Sequence, residues 1–375
     1  MPWCHVLHIM LRKERVLFNR IQIMIYHILI DRFVPARFPK QGRGYQGGNL
    51  KGIISMLDWL QQMGVTGLLL TPFVKGAAYH GYHTIDFTKV NPHFGSWRTV
   101  DELVEEAHQR GMTVYADFVA NHCHIKSPMF QQHPDWFKQN KDGQTKGFCG
   151  IDYLPEFDLG KSSPRCFLTE QALRLCQHGF DGLRLDYAKG PVFSFWQYFR
   201  SHIKADFPHV QLIGEVWGKP KDKRLPSSLS QACRKGEMTE NEAWQKRYAE
   251  VFDGVLDFAY QDLLLQTVRK GERIAGNEAL RKAVRQHFSH YSDCCNFQLY
   301  LFLDNHDTNR FLYECKGDTT LLQEAINFTR EWAMPYIMYY GTEKGMMNSE
   351  DIFSGKPYAD EAVRDCYNLL SPNVF

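Results

Sequence analysis

Nothing in this chain approaches the run of ~20 apolar residues that a membrane-spanning helix needs. The opening stretch MPWCHVLHIMLRKER places its charges after a short apolar segment, the reverse of a secretory signal. No GxGxxG follows the first strand-like segment, which argues against dinucleotide binding. The ten cysteines show no paired metal-type spacing: Cys294 and Cys295 are adjacent and the others scattered. Reduced thiols and a cytoplasmic location are the expectation for a chain this long. A formal net charge of +2 lacks the excess of one sign that a nucleic-acid surface requires. Neither nucleic acid nor membrane is therefore expected as a partner.

Aromatic residues are plentiful at 14%, with eight Trp and eighteen Tyr, which suggests stacking surfaces. Residues 1–23 carry no glycine turn and no strand-pairing signal; they read as an N-terminal extension, with Met24 as an alternative start. From there strand and helix signals alternate. MIYHILIDRF (24–33) reads as a strand buried on both faces. Asn49 precedes a helical stripe of Leu50, Ile53, Ile54, Leu57 and Leu60 closed by Gly64. GLLLTP (67–72) is the second strand. Thr99 and Glu102 read as a capping box for the next helix, which Gly111 ends, and TVYADF (113–118) is the third strand. Further strands are expected at 182–186, 212–215, 255–258, 299–303 and 335–340. Eight strands with helices between them predict an α/β fold, a closed (β/α)8 TIM barrel over residues 24–375. Two connections exceed a minimal barrel: about 119–165, expected to form a small inserted subdomain after the third strand, and about 216–250.

The stretch GFDGLRLDYAKG (179–190) concentrates the chemistry. Period-two alternation puts Arg184 and Asp186 on one side, opposite Leu183 and Leu185. Asp117, Asn121 and His122 follow the third strand, Glu215 the fifth, His306 and Asp307 the seventh. In a barrel these strand ends share one rim. Each also has a plainer reading: a buried Arg–Asp pair, a loop histidine, a salt-bridging Glu215, an Asp307 helix cap, a metal site at Asp117, Asn121 and His122. Three acids converging on one rim repel one another and raise at least one pKa. That is the requirement of acid–base work on a glycosidic bond.

These motifs, taken in order, resemble the α-amylase family of glycoside hydrolases. DFVANH, GLRLDYAK, GEVW and FLDNHD resemble its four successive regions. HGYHTIDFTKVNPHFGS, LPEFD and YIMYYGTEKGM resemble further family segments, so the likeness runs from about Met24 to about Met347. The resemblance implies Asp186 as nucleophile, Glu215 as general acid/base and Asp307 as the acid that steadies the transition state. It implies Arg184 as the residue keeping the nucleophile ionised, and His122 and His306 as sugar-binding. Tyr82 matches a stacking platform with His80 beside it, and Lys189 a contact on the leaving-group side. Gly190 stands where many members carry histidine. Its carbonyl, with Asn121 and Asp158, matches a frequent structural calcium site, but the imidazole is lost, so no metal or other cofactor is expected to be required.

The implied activity is retaining hydrolysis of α-glucosidic bonds, α-1,4 in malto-oligosaccharides or starch-like glucans. Transglycosylation on the same substrates and a non-catalytic binding or partner role are the alternatives. The family's C-terminal β-sandwich domain is not expected, because the chain ends just after a last helix read at 360–370, with Ala362, Val363, Cys366, Leu369 and Leu370 on one face. Tyr367 and the Val374-Phe375 tail are left over, to fold back on the barrel or to meet another subunit of a homo-oligomer.

Overall fold

Residues 23–35, 44–218 and 225–367 are described by a computed structural model. Twelve strands occur in them: β1 (Met24–Ile28), β2 (Gly67–Leu70), β3 (Val74–Gly76), β4 (Thr84–Val90), β5 (Thr113–Phe118), β6 (Gly147–Phe148), β7 (Ile151–Pro155), β8 (Gly182–Leu185), β9 (Gln211–Gly214), β10 (Gly254–Leu256), β11 (Gln298–Phe302) and β12 (Tyr336–Tyr339). Eight of them close a parallel barrel in the order β1-β12-β11-β10-β9-β8-β5-β2. The eight predicted strands are these eight, with ends shifted by a few residues.

Strand alternation builds two cores. Ile25, Leu69, Tyr115, Ile213, Leu256, Tyr300, Phe302 and Ile337 point inward and pack with one another. The alternate residues, such as Tyr26, Leu68, Leu70, Val114, Leu183 and Leu185, point outward under the helices. Tyr115 reaches across the barrel because its neighbour is Gly182: a Cβ there would lie 2.4 Å from the tyrosine ring.

Two small antiparallel sheets sit outside the barrel. β6 and β7 lie in the long connection after β5, and β3 and β4 follow β2. The second pair was not foreseen: β3 has only three residues and its register slips at two places, too little to leave a periodic signal. The connection after β9 holds the helices Ser227–Arg234 and Glu240–Tyr248.

Three local expectations are corrected. The run 24–33 is not one strand: β1 ends at Ile28 and Ile30–Phe33 form a helical turn. Asp31 dictates this, since its buried carboxylate accepts the backbone N–H groups of Gln46 and Gly47 and pairs with Arg32. The capping box at Thr99 is not formed. The helix Trp97–Gln109 starts three residues earlier, with Ser96 at its N-cap, and Thr99 lies inside its first turn. Nor is there a regular helix from 360. Ala359–Val363 form a 3-10 turn, entered through Tyr358 in a left-handed conformation (φ 63°). The chain then runs to Tyr367 without helical structure. Tyr367 is not left over: it is 2% exposed, its N–H donates to the Arg32 carbonyl, and its ring packs on Phe33 and Trp59. Leu369, Leu370, Val374, Phe375 and residues 1–22 lie outside the described residues.

A buried ion triad fixes the helices beyond β9 and β10. His287 Nδ1 lies 2.8 Å from Glu242 Oε1, and its Nε2 lies 2.8 Å from Asp257 Oδ2. Glu242 also completes a capping box with Thr239, and Asp257 caps the helix Phe258–Arg269. Burial pulls the imidazolium down, but the two carboxylates outweigh it and raise His287 to about 9, against an ordinary value of about 6.5. Its stabilisation is therefore complete below about pH 6.5 and is lost as pH rises through about 9. His287→Ala, which leaves two buried carboxylates facing each other, is expected to cost about 3–5 kcal/mol in urea unfolding at pH 6. The cost should shrink by pH 9.5; an equal cost at both values would rule out a charged His287.

Candidate active site

The inward positions one step beyond the apolar layer are polar. Two residues after Ile25, Leu69, Tyr115 and Ile213 come His27, Thr71, Asp117 and Glu215. Two after Arg184 comes Asp186. All six are buried. Strand geometry alone thus gathers them at the C-terminal mouth of the barrel, the usual place of barrel active sites.

Arg184, 1% exposed, is the hub. Its Nη1 donates to both oxygens of Asp117 at 2.9 Å and to Asp186 Oδ1 at 2.8 Å. Its Nη2 lies 2.7 Å from Glu215 Oε1, an ion pair by distance that is not aligned as a hydrogen bond. Glu215 Oε2 accepts the N–H of Tyr187 at 2.8 Å. Tyr187 can aim that N–H because it adopts a left-handed conformation (φ 42°), a strained state for a side-chain-bearing residue.

One guanidinium faces three buried carboxyls, and burial works against its pull. Burial raises Asp186 to about 7; Arg184 opposes it, while Asp117 and Asp307 add to it. Burial likewise raises Asp117 to about 6, with Arg184 opposing, and raises Glu215. Arg184 is thus the group that favours the ionised form of Asp186, while burial, Asp117 and Asp307 act against it. Asp307 behaves differently. Burial would raise it, but His306, Arg364 and Arg184 pull it well below the carboxylate range. His306 Nε2 stands 2.9 Å from Asp307 Oδ2, and Arg364 Nη2 is 3.1 Å from Asp307 Oδ1.

Around the acids stand rings. Tyr82 stacks on His306 with centroids 4.8 Å apart and planes at 15°, and its hydroxyl donates to Asp117 at 2.6 Å. His122 lies 3.1 Å from the Tyr82 carbonyl and stacks on Phe148 at 4.4 Å. His80 accepts the Tyr82 N–H. Burial holds His27, His80, His122 and His306 below the ordinary imidazole value. A neutral imidazole has one donor and one acceptor nitrogen; His80 gives its acceptor to the Tyr82 N–H and His122 its donor to the Tyr82 carbonyl, so each keeps one nitrogen for a hydroxyl. Lys189 donates to the Trp217 carbonyl and lies over the rings of Tyr187 and Trp217. All nine residues singled out from the sequence thus surround one mouth.

Sequence reasoning missed His27 and Arg364. His27 was absorbed into an apolar run, although its place two residues after the inward Ile25 marks it. It packs against His306 and Tyr339 at 5.3 Å each. Arg364 was placed in a helix that does not form; besides Asp307, it binds the His306 carbonyl and Asp360.

Residues 32–156 and 150–370 match the alpha-amylase family, described as "Alpha amylase, catalytic domain". The chain belongs to the α-amylase family. It is 31% identical over 355 residues to alpha-amylase 2 of Dictyoglomus thermophilum, covering 91% of this chain and 58% of that protein. It is 29% identical to a cyclomaltodextrinase of Geobacillus thermopakistaniensis, covering 87% and 56%. The chain thus spans little more than half the length of these relatives. Among solved structures it is similar to the acarbose-complexed α-amylase of Geobacillus thermoleovorans, with TM-score 0.75, 28% identity, and coverage of 94% of this chain and 75% of that one.

As an α-amylase family chain it raises the question of the calcium site implied by Asn121, Asp158 and the Gly190 carbonyl. The Asn121 side-chain amide is buried with no partner among the described residues. It presses so closely on Gly190 that a Cβ there would lie 2.2 Å from Asn121 Oδ1, so histidine at 190 is incompatible with this packing. Asp158, however, already faces Lys161 at 3.5 Å and is 34% exposed. Two neutral oxygens and one carboxylate beside a lysine fall short of the six to eight oxygens and negative charge that calcium takes. The donor set does not fit. Exhaustive EDTA dialysis is expected to shift the melting temperature by less than about 2 °C; a tightly held ion would give a drop of several degrees, reversed by calcium.

Proposed function

We propose that this chain cleaves α-glucosidic bonds, α-1,4 linkages of malto-oligosaccharides or starch-like glucans, by double displacement. Asp186 attacks the anomeric carbon while Glu215 protonates the departing oxygen. The glycosyl ester on Asp186 is then hydrolysed by water that Glu215 deprotonates. Asp307, held ionised by His306 and Arg364, accepts hydroxyls of the sugar at the cleavage point, and Tyr82 offers its ring to that sugar. His122 and His306 contact the same sugar through Nδ1, the nitrogen not engaged by the Tyr82 carbonyl or by Asp307. Lys189 contacts the sugar on the leaving-group side.

The observation that carries this reading is the sharing of Arg184 by Asp186 and Glu215. Pairing with one guanidinium favours the short separation of a retaining pair over the wider one of an inverting enzyme. Burial raises Glu215 above the ordinary carboxyl value, which favours its protonated form. Double displacement needs such a proton on Glu215. We further propose a reducing, cytoplasmic location, on the scattered spacing of the ten cysteines in the sequence.

Glu215→Gln should lower turnover of maltoheptaose by roughly 10²–10⁴-fold and Asp186→Asn by at least as much, with melting temperatures near wild type. Near-normal turnover by either folded variant would remove that residue from the mechanism. The pH profile offers an independent check. Asp186 must be ionised to attack, so kcat/KM should fall as pH drops through about 7. Asp117→Asn removes one of the charges that raise Asp186 and leaves Arg184 with one carboxylate fewer. Its acid limb should therefore move to lower pH; an upward or absent shift would contradict the charge sharing.

A further inference from the structure

Tyr153, the third residue of β7, is 45% exposed, and Ile125, 39% exposed, donates its N–H to the Tyr153 carbonyl at 3.0 Å. Two exposed apolar residues thus stand at adjacent positions on the insert. A single exposed tyrosine is ordinary, but this one is held. His83 meets its ring at 5.6 Å and 72°, and His124 at 5.7 Å and 49°. From His83 a row of ring contacts runs inward: His80 at 4.6 Å, then Tyr82 at 5.8 Å from His80, then His306 at 4.8 Å from Tyr82, beside Asp307. Tyr153 is the outermost ring of a continuous series that begins at the acids. The row leaves the site from Asp307, whereas Lys189 and Trp217 stand by the Glu215 loop.

We propose that Tyr153 is a stacking platform for a glucose unit of a bound α-glucan, several units from the cleaved bond on the side away from the leaving group. This rests on the α-glucan reading above. A pyranose offers a C–H face that an aromatic ring covers well, and a tyrosine already fixed by two imidazoles loses little freedom on binding. Ile125 widens the apolar surface, and the row of neutral imidazoles between Tyr153 and Tyr82 offers donors and acceptors to the sugar hydroxyls along the way. The platform therefore selects for chain length: a short oligosaccharide fills the mouth without reaching it, and a long one spans both.

The test measures binding by calorimetry in the Glu215→Gln background, where turnover is suppressed, with maltotriose and maltoheptaose as probes. Adding Tyr153→Ala should weaken maltoheptaose about five- to tenfold while changing maltotriose less than about twofold. Tyr153→Phe, which keeps the ring, should bind both as the parent does. Equal weakening of both sugars, or no change in either, overturns the platform and leaves the reading of the acids standing. If the Glu215→Gln parent binds neither sugar, the α-glucan reading fails and the platform with it.

Discussion

The guanidinium of Arg184 is the constraint on which the site depends. Burying a cation is expensive unless it is paired on every side, and here Asp117, Asp186 and Glu215 are its partners. Those partners come from three adjacent barrel strands, β5, β8 and β9. The register of the strands is therefore also the register of the chemistry. Slipping β8 by one residue would turn both Arg184 and Asp186 toward the helices and leave Asp117 and Glu215 without their shared cation. The burial that closes the mouth of the barrel also raises Asp186 and Glu215.

A second guanidinium completes the charge pattern. Arg364 comes from the irregular segment after β12, and by binding Asp307 and the His306 carbonyl it ties that segment to the acids. Tyr367 anchors the same segment on the outer core next to Arg32. Asp307 is pulled down while burial pushes Asp186 and Glu215 upward, so chemically similar carboxyls are shifted in opposite directions by their surroundings.

Much of this was legible in the sequence, for a physical reason. Period-two alternation in GLRLD and the placement of Asp117 and Glu215 at strand ends follow from strand geometry, so a barrel reading carries them to one rim. Residues whose meaning lies in distant contacts were less legible. Arg364 meets Asp307 across 57 positions, and the local pattern around it imitates a helix stripe. His27 looks like an interruption in an apolar run until its inward neighbour Ile25 is identified. Ser96 rather than Thr99 begins its helix, a choice between two good capping residues that local sequence does not rank. The left-handed turn at Tyr187 left no composition signal, since glycine or asparagine would be expected there.

The central claim is that Asp186 and Glu215, gathered on one guanidinium, act as a retaining pair. Proton NMR of the first products released from maltoheptaose, recorded before mutarotation, tests it most directly. Double displacement predicts that the new reducing end appears as the α-anomer and converts slowly to the β-form. A β-anomer signal appearing first would mean single displacement by water, and would contradict the assignment of Asp186 as nucleophile.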